Sequence, residues 1–335
     1  MDRKKTTTIV TAAAVFAIAA ALPFLFDARL EREEKKEAEA EAFLSGPLRS
    51  RMERDSLMQA ACVSLVETGS GRKPLSALLS RSIYSNVVIV DEGRGYSRAP
   101  LVPGDIMQGS TLAFLLDDNR IGPDLTARDG GLTLSSYVAD RIAMDWWTQH
   151  RYIDKLGDYF GSSEAYSLPK AWQQGPDWTA VASVADGSGI HLSQGQVLTF
   201  YDALANGGVR PRHRYVSKRR ICSEETAQVM KELLRENVTG GKDILLADHP
   251  AHIAGTSGKG TIRHGYVPGL SRTEPHGPVE TVTFAGFFPA ESPRYTMCVT
   301  FYYKPDVNPE ETTLPAEVFG ELANKLIKED KPWRQ

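Results

Sequence analysis

The sequence predicts an α+β domain whose sheet is assembled from both ends of the chain, with helices between. Three observations carry this. Short apolar runs ending in turn residues come first: "ACVSLVETGSG" from Ala61 and "NVVIVDEGRGY" from Asn86 read as strands. A middle section has helical spacing. The last third returns to strand-like runs, "HIAGTSGKGTIRH", "ETVTFAGFFPA" and "RYTMCVTFYYKP", before a final helix, "PAEVFGELANKLIKED".

The chain has 335 residues, 41% hydrophobic and 24% charged, so it can bury a substantial core. A formal net charge of −3 gives no electrostatic reason to expect a nucleic-acid partner. Cys62, Cys222 and Cys298 are far apart, without metal-ligand spacing, and read as buried apolar thiols. The seven histidines form no HxxxH or HExxH pattern, so neither a metal nor a cofactor is expected.

The N-terminal region reads as a membrane anchor. Arg3, Lys4 and Lys5 precede an uncharged run, Ile9 to Phe26. As a helix it spans about 27 Å, close to the hydrocarbon thickness of a bilayer. The order of charges places residues 1–8 in the cytoplasm and the bulk of the chain outside, as a single-pass protein of the cytoplasmic (inner) membrane. A cleaved signal peptide competes, but the run exceeds the usual apolar length of one. Residues 27–60, rich in Ala, Glu, Lys and Arg, read as a solvated helical stalk interrupted at Ser45-Gly46-Pro47. The globular domain is then 61–330.

Within it, "IMQGSTLAFLLDD" (106–118) predicts a helix from Ser110 to about Asn119. Ser110 is either an N-cap or a nucleophile at a helix start; the capping-box partner position holds Ala113. "RIGPDLTARDGGLT" is a loop. "LSSYVADRIAMDWWTQHRYIDKLGDYFG" is a helix by the spacing of Val138, Ile142, Trp146, Ile153, Leu156 and Phe160. Trp146, Trp147, Trp172 and Trp178 are expected in core and loop packing. The segment 162–189 reads as loop. "SQGQVLTFYDALANGG" is a helix with Ser193 near its start and Gly207-Gly208 at its end. "SEETAQVMKELLRENVTGG" is another, capped by Ser223, with Glu224 and Glu225 suiting its first turn.

Three features together carry a resemblance. They are "QGST" at a helix start, "GSGIHLSQGQVLTFYDALANGG", and the glycine-rich strand before "VTFAGFFPAESPRYTMCVTF". In this order and spacing the chain resembles the transpeptidase domain of class B penicillin-binding proteins, from about Ala61 to the final helix. The most distinctive run of that family, G-x-G-I-x-x-T-P-x-Q-x-x-x-x-Y-x-x-x-A-N-G-G, stands here as Gly187, Gly189, Ile190, Ser193, Gln196, Tyr201 and Asn206-Gly207-Gly208. The resemblance implies a central, mostly antiparallel sheet with a helical subdomain. It also implies a role in peptidoglycan biogenesis, with a stem peptide or envelope division and elongation proteins as partners.

The family's chemistry uses three boxes. Ser-x-x-Lys supplies a nucleophile and a cation on one helix face. Ser-x-Asn supplies a second hydroxyl and an amide, and Lys-Thr-Gly a cation on an edge strand. Here Gln108-Gly109-Ser110-Thr111-Leu112-Ala113 keeps the serine and replaces the lysine by Ala113. "SYVADRIAMDWW" contains no Ser-x-Asn. Ala254-Gly255-Thr256-Ser257-Gly258 has Thr256 at the lysine position and Ser257 at the threonine, leaving Thr256, Ser257 and Gly258 as the substrate-binding candidates. Lys259 is a weak substitute for the lost cation, because an odd offset on a strand puts it on the opposite face from Thr256. The expected protein is a catalytically degenerate transpeptidase-like scaffold or regulator. The alternative is an active D,D-transpeptidase or carboxypeptidase, with Ser110 attacking and Lys259 or His252 assisting. Residues 27–60 also leave no room for the large pedestal that family members usually carry before this domain.

Overall fold

The structure is a computed structural model; it describes residues 31, 46–55, 58–69, 75–81, 86–91, 99–122, 146–160, 178–211, 218–263, 278–303 and 313–329. In chain order these form α1 (Pro47–Arg54), β1 (Met58–Glu67), β2 (Leu75–Arg81), β3 (Asn86–Asp91), β4 (Pro100–Leu101) and α2 (Ile106–Asp117). Then come α3 (Trp146–Phe160), α4 (Trp178–Ala185), β5 (Leu192–Ser193), α5 (Gln194–Ala205), β6 (Val209–Arg210) and β7 (Arg219–Arg220). The chain continues through α6 (Glu224–Gly240), a 3-10 turn (Ile244–Leu246), β8 (Ala254–Ile262), β9 (Val279–Phe288), β10 (Tyr295–Tyr303) and α7 (Leu314–Glu329).

The central sheet has the order β3-β2-β1-β10-β9-β8, and each neighbour is antiparallel. The chain's two ends meet where β1 pairs with β10, Val63 opposite Val299. The sheet is therefore built from both ends around a helical middle, as the sequence predicts.

Both faces of the sheet are covered. Alternation along β10 sends Met297, Val299, Phe301 and Tyr303 to one side, where they pack with α1 and α7. On that side Phe319 of α7 sets its ring edge against Phe284 at 4.7 Å and Phe288 at 5.7 Å. The other side carries Ala254, Ala285, Phe287 and Cys298 against α2 to α6. Two-sided burial explains why β9 and β10 read as almost continuous apolar runs.

The helix-facing side also holds polar side chains, and α5 satisfies them. Gln194, at its first position, is buried. Its amide nitrogen donates to the carbonyls of Cys62 at 2.8 Å and Cys298 at 3.1 Å. Its carbonyl accepts from the Ser64 hydroxyl at 2.6 Å and the Cys62 thiol at 2.9 Å. Upstream, Ser193 and Gln196 form a reciprocal capping box. The expected cap at Ser193 is thus present, and Ser223 caps α6 through the Thr226 N–H at 3.0 Å. All three cysteines are buried free thiols.

Three expectations are corrected, and one strand was not read from the sequence. Residues 47–60 are not part of a wet stalk: Leu48, Met52 and Met58 lie in the α7-side core, and Arg51 bridges to Glu317 at 2.5 Å, so the folded domain starts before Ala61. Pro47 opens α1 as its first residue, which is why the sequence breaks at Gly46-Pro47. Strand β2 has a leucine-serine pattern too weak to read alone; pairing with β1, Ala61 opposite Leu79, makes it a strand. Helix α4, "WTAVASVA", lies inside the expected loop and is held by burial of Val181 and Val184. Trp147 is 69% exposed and lies outside the core, because α3 turns Tyr152, Leu156, Tyr159 and Phe160 inward instead. The expected anchor, 9–26, lies outside the described residues, and no described helix is long and apolar enough to cross a membrane.

Replacing Gln194 with Leu should lower stability by about 3 kcal/mol, since it strips partners from buried polar groups on two strands. Equilibrium urea unfolding checks this; an unchanged midpoint would show that the network adds nothing net.

Candidate active-site cleft

Helix α2 begins one turn earlier than the sequence suggests. Its N-cap is Asp105, after the turn Pro103-Gly104-Asp105, and no side chain caps it. Ser110 is therefore the fifth helical residue, and the expectation that it caps the helix is corrected. It lies beyond the unpaired N–H groups that a helix N-terminus offers to an anion. Its hydroxyl donates to the Met107 carbonyl at 2.8 Å and touches the Met107 sulfur at 3.4 Å. Ser110 is fully buried, as is Ala113 one turn on.

Among the described residues the neighbours of Ser110 supply no base. The Tyr152 hydroxyl from α3 is 2.9 Å from the Thr111 hydroxyl and also touches Ser110. Burial pushes that phenol well above its ordinary range, outweighing these hydrogen bonds, so it stays protonated. Among the described residues no ammonium or imidazole bonds to Ser110. His252, just before β8, sits exposed and faces Glu291 at 3.1 Å, which removes it as the helper of Ser110. The segment expected to replace Ser-x-Asn lies outside the described residues up to Asp145.

Strand β8 brings the remaining candidates together with alternating directions. Thr256 and Gly258 face α2 and are buried. Ser257 and Lys259 face the α7 side, and Lys259 is exposed. Thr256 and Lys259 therefore lie on opposite faces of the strand, and no bulge turns Lys259 back. Ser257 is held by Asp243, which accepts from its hydroxyl at 2.6 Å and its N–H at 3.0 Å. Gly258 lies so close to α2 that an added Cβ would stand 2.1 Å from the Pro103 carbonyl. Thr256 and Ser110 are both buried on the α2 side of the sheet, while Ser257 and Lys259 open onto a cavity of about 240 Å³ on the other side.

The distinctive run between Gly187 and Gly208 is structural in its contacts. Gly104 donates its N–H to the Gly187 carbonyl at 3.2 Å, and Tyr201 donates to the Ile106 carbonyl at 3.3 Å, so both ends of this run set the entry of α2. Asp202 of the same run is buried behind the turn Thr68-Gly69, with Thr296 donating to it at 3.4 Å. Burial pushes its carboxyl up to about 7, against the lowering effect of bonds from Thr296, Thr68 and the Gly69 N–H. Sequence reasoning missed Asp105, Lys242, Asp243 and Asn237. They lie on loops or on a helix end, where no periodicity marks them, and only the fold brings them to β8.

A six-stranded antiparallel sheet is covered by helices on both faces, and one of those helices, α2, carries a buried serine and meets a glycine-rich edge strand. The family described as "penicillin binding protein transpeptidase domain" matches residues 135–324, more than half of the chain, and the chain belongs to it. The match begins after Ser110 and includes β8. Solved structures agree on the fold. The transpeptidase domain of penicillin-binding protein 3 from Burkholderia pseudomallei is 18% identical, with a TM-score of 0.59 over 89% of this chain and 93% of that one. A peptidoglycan glycosyltransferase from Burkholderia ambifaria is 18% identical, with a TM-score of 0.60 over 90% and 98%. The transpeptidase domain of a D,D-transpeptidase from Legionella pneumophila is 16% identical, with a TM-score of 0.53 over 88% and 96%. No curated protein matches the sequence.

The buried Asp202 makes stability depend on pH. Its folded value, about 7, stands above the unfolded value, about 3.8. The contribution is therefore fully present below the unfolded value and is lost as pH rises toward 7. Asp202→Asn should flatten that decline, gaining up to about 4 kcal/mol over the parent at pH 8 and little at pH 4. Thermal melts of both proteins between pH 4 and 8 check it; parallel curves would refute it.

Proposed function

We propose that this chain is a transpeptidase-like protein of peptidoglycan biogenesis that does not form an acyl-enzyme and acts in the envelope as a scaffold or regulator. The single observation that carries the proposal is the state of Ser110. It is buried inside α2, its hydroxyl is committed to the Met107 carbonyl, and Ala113 stands where the family has its lysine. An unactivated serine is a poor nucleophile at neutral pH. General acid–base assistance contributes about 10²–10⁴-fold in such reactions, so its loss leaves little turnover.

Membrane attachment through residues 9–26, with the folded domain outside the cytoplasm, follows from the charge pattern and suits a peptidoglycan stem peptide or envelope division and elongation proteins as partners. The active alternative has less support, since Lys259 faces away from Thr256 and His252 is engaged with Glu291.

A fluorescent penicillin tests the proposal directly. The purified full-length chain should give no covalent band between pH 6 and 9. A band that disappears in Ser110→Ala would establish the active alternative instead.

A further inference from the structure

Strand β8 ends the central sheet among the described residues, with β9 on one side of it. An edge strand offers a row of N–H and carbonyl groups to any extended peptide. In an antiparallel pair alternate residues bond across, and the others turn their backbone groups outward. On β8 the outward set includes Gly255, Ser257 and Lys259, and each is met from within the chain. Asn237 of α6 donates to the Gly255 carbonyl at 2.9 Å. Lys242 donates to the Ser257 carbonyl, and Asp243 accepts from the Ser257 N–H at 3.0 Å. Gly104 lies against Lys259, where an added Cβ would stand 2.2 Å from the carbonyl oxygen and 3.0 Å from the nitrogen. The edge is thus covered from Gly255 to Lys259.

Asp243 is the centre of this cover. It is 3% exposed. Its carboxylate accepts from the Ser257 hydroxyl at 2.6 Å, the Ser257 N–H at 3.0 Å and the Asn237 amide at 2.8 Å. Three donors around one carboxylate form an anion-binding site, and bonds to a charged acceptor are the strong kind. The carboxylate of a peptide laid along β8 would be received by the same donors. Here the acid belongs to the chain itself. Its tether at the end of α6 keeps it at a high effective concentration, which a free peptide must overcome. The cavity of about 240 Å³ lined by Lys242, Asp243 and Ser257 joins the site to solvent, since the Lys242 side chain is 26% exposed.

We propose that β8 is self-complemented: Asp243, with Asn237, Lys242 and Gly104 beside it, holds the places that an extended peptide with an acidic end would take, and the chain accepts no such peptide along this edge. The inference rests on the functional reading and narrows it. It removes the stem peptide as a ligand of β8 and leaves an envelope protein as the partner of the scaffold. It concerns recognition and not reactivity, so it is independent of the missing lysine at position 113.

Chemical rescue tests the internal ligand. In the full-length chain, Asp243→Ala should lower the melting temperature. Formate at about 100 mM should then restore about 2–4 °C more than chloride at the same strength, because it replaces the deleted carboxylate between Ser257 and Asn237. The parent and Asp243→Asn, whose sites are filled, should respond to the two salts alike. A second measurement needs no variant to fold: calorimetric titration of the parent with a peptide ending in D-alanyl-D-alanine should show no saturable binding. Equal effects of formate and chloride on Asp243→Ala would overturn the proposal. So would peptide binding to the parent that Ser257→Ala weakens about tenfold, the loss of one hydrogen bond to a charged group. Penicillin labelling, which tests the functional reading, enters neither measurement, so each can fail alone.

Discussion

Covering a sheet on both faces forces the polar groups on it to find partners inside the protein, and Gln194 supplies several of them at the seam of β1 and β10. Gln194 reaches from the start of α5 into β1 and β10 and bonds both strands where the chain's two ends pair. That contact fixes α5 against the sheet. Helix α5 in turn carries Tyr201, which donates to Ile106 and so sets where α2 enters. Gln194 and Tyr201 are thus two of the buried polar contacts that link the sheet to the start of α2, beside the apolar burial of α2 itself.

Much of this was legible in the sequence, for physical reasons that differ by element. The strands β9 and β10 declare themselves because two-sided burial makes them continuous apolar runs. Helices α5 and α6 declare themselves through caps, Ser193 with Gln196 and Ser223 with Thr226, which are local chemistry. The alternation that turns Lys259 away from Thr256 needs only the strand period. Strand β2 and helix α4 were not legible, because their identity comes from the neighbours they pair with or bury against. The same holds at the site. The start of α2 is set at Asp105 by contacts from Gly187, Lys242 and Tyr201, each distant in sequence, so the expected cap at Ser110 was misplaced by a full turn.

Around the N-terminus of α2 the described charges serve structure. Ala113 and Thr256 are neutral at the two positions where the family has lysine. A cation still stands beside that N-terminus, yet it arrives from the loop after α6 and is spent on structure. Lys242 pairs with the N-cap aspartate of α2 and donates to a carbonyl of β8. Lys259 faces the opposite side of the strand.

Burial and loss of the base reinforce each other at Ser110. A serine at a helix N-terminus can draw on unpaired N–H groups to stabilise an oxyanion, but only if the helix begins there. Extending α2 by the turn Ile106–Gly109 places that terminus at Asp105 instead, where a carboxylate already occupies the cationic neighbour. Restoring a lysine at position 113 alone would therefore return a cation to a serine that still donates to Met107 and still lacks an anion-binding terminus. The N-terminal turn of α2 and the residue at position 113 are thus linked, because a change at either alone leaves the other as it stands here.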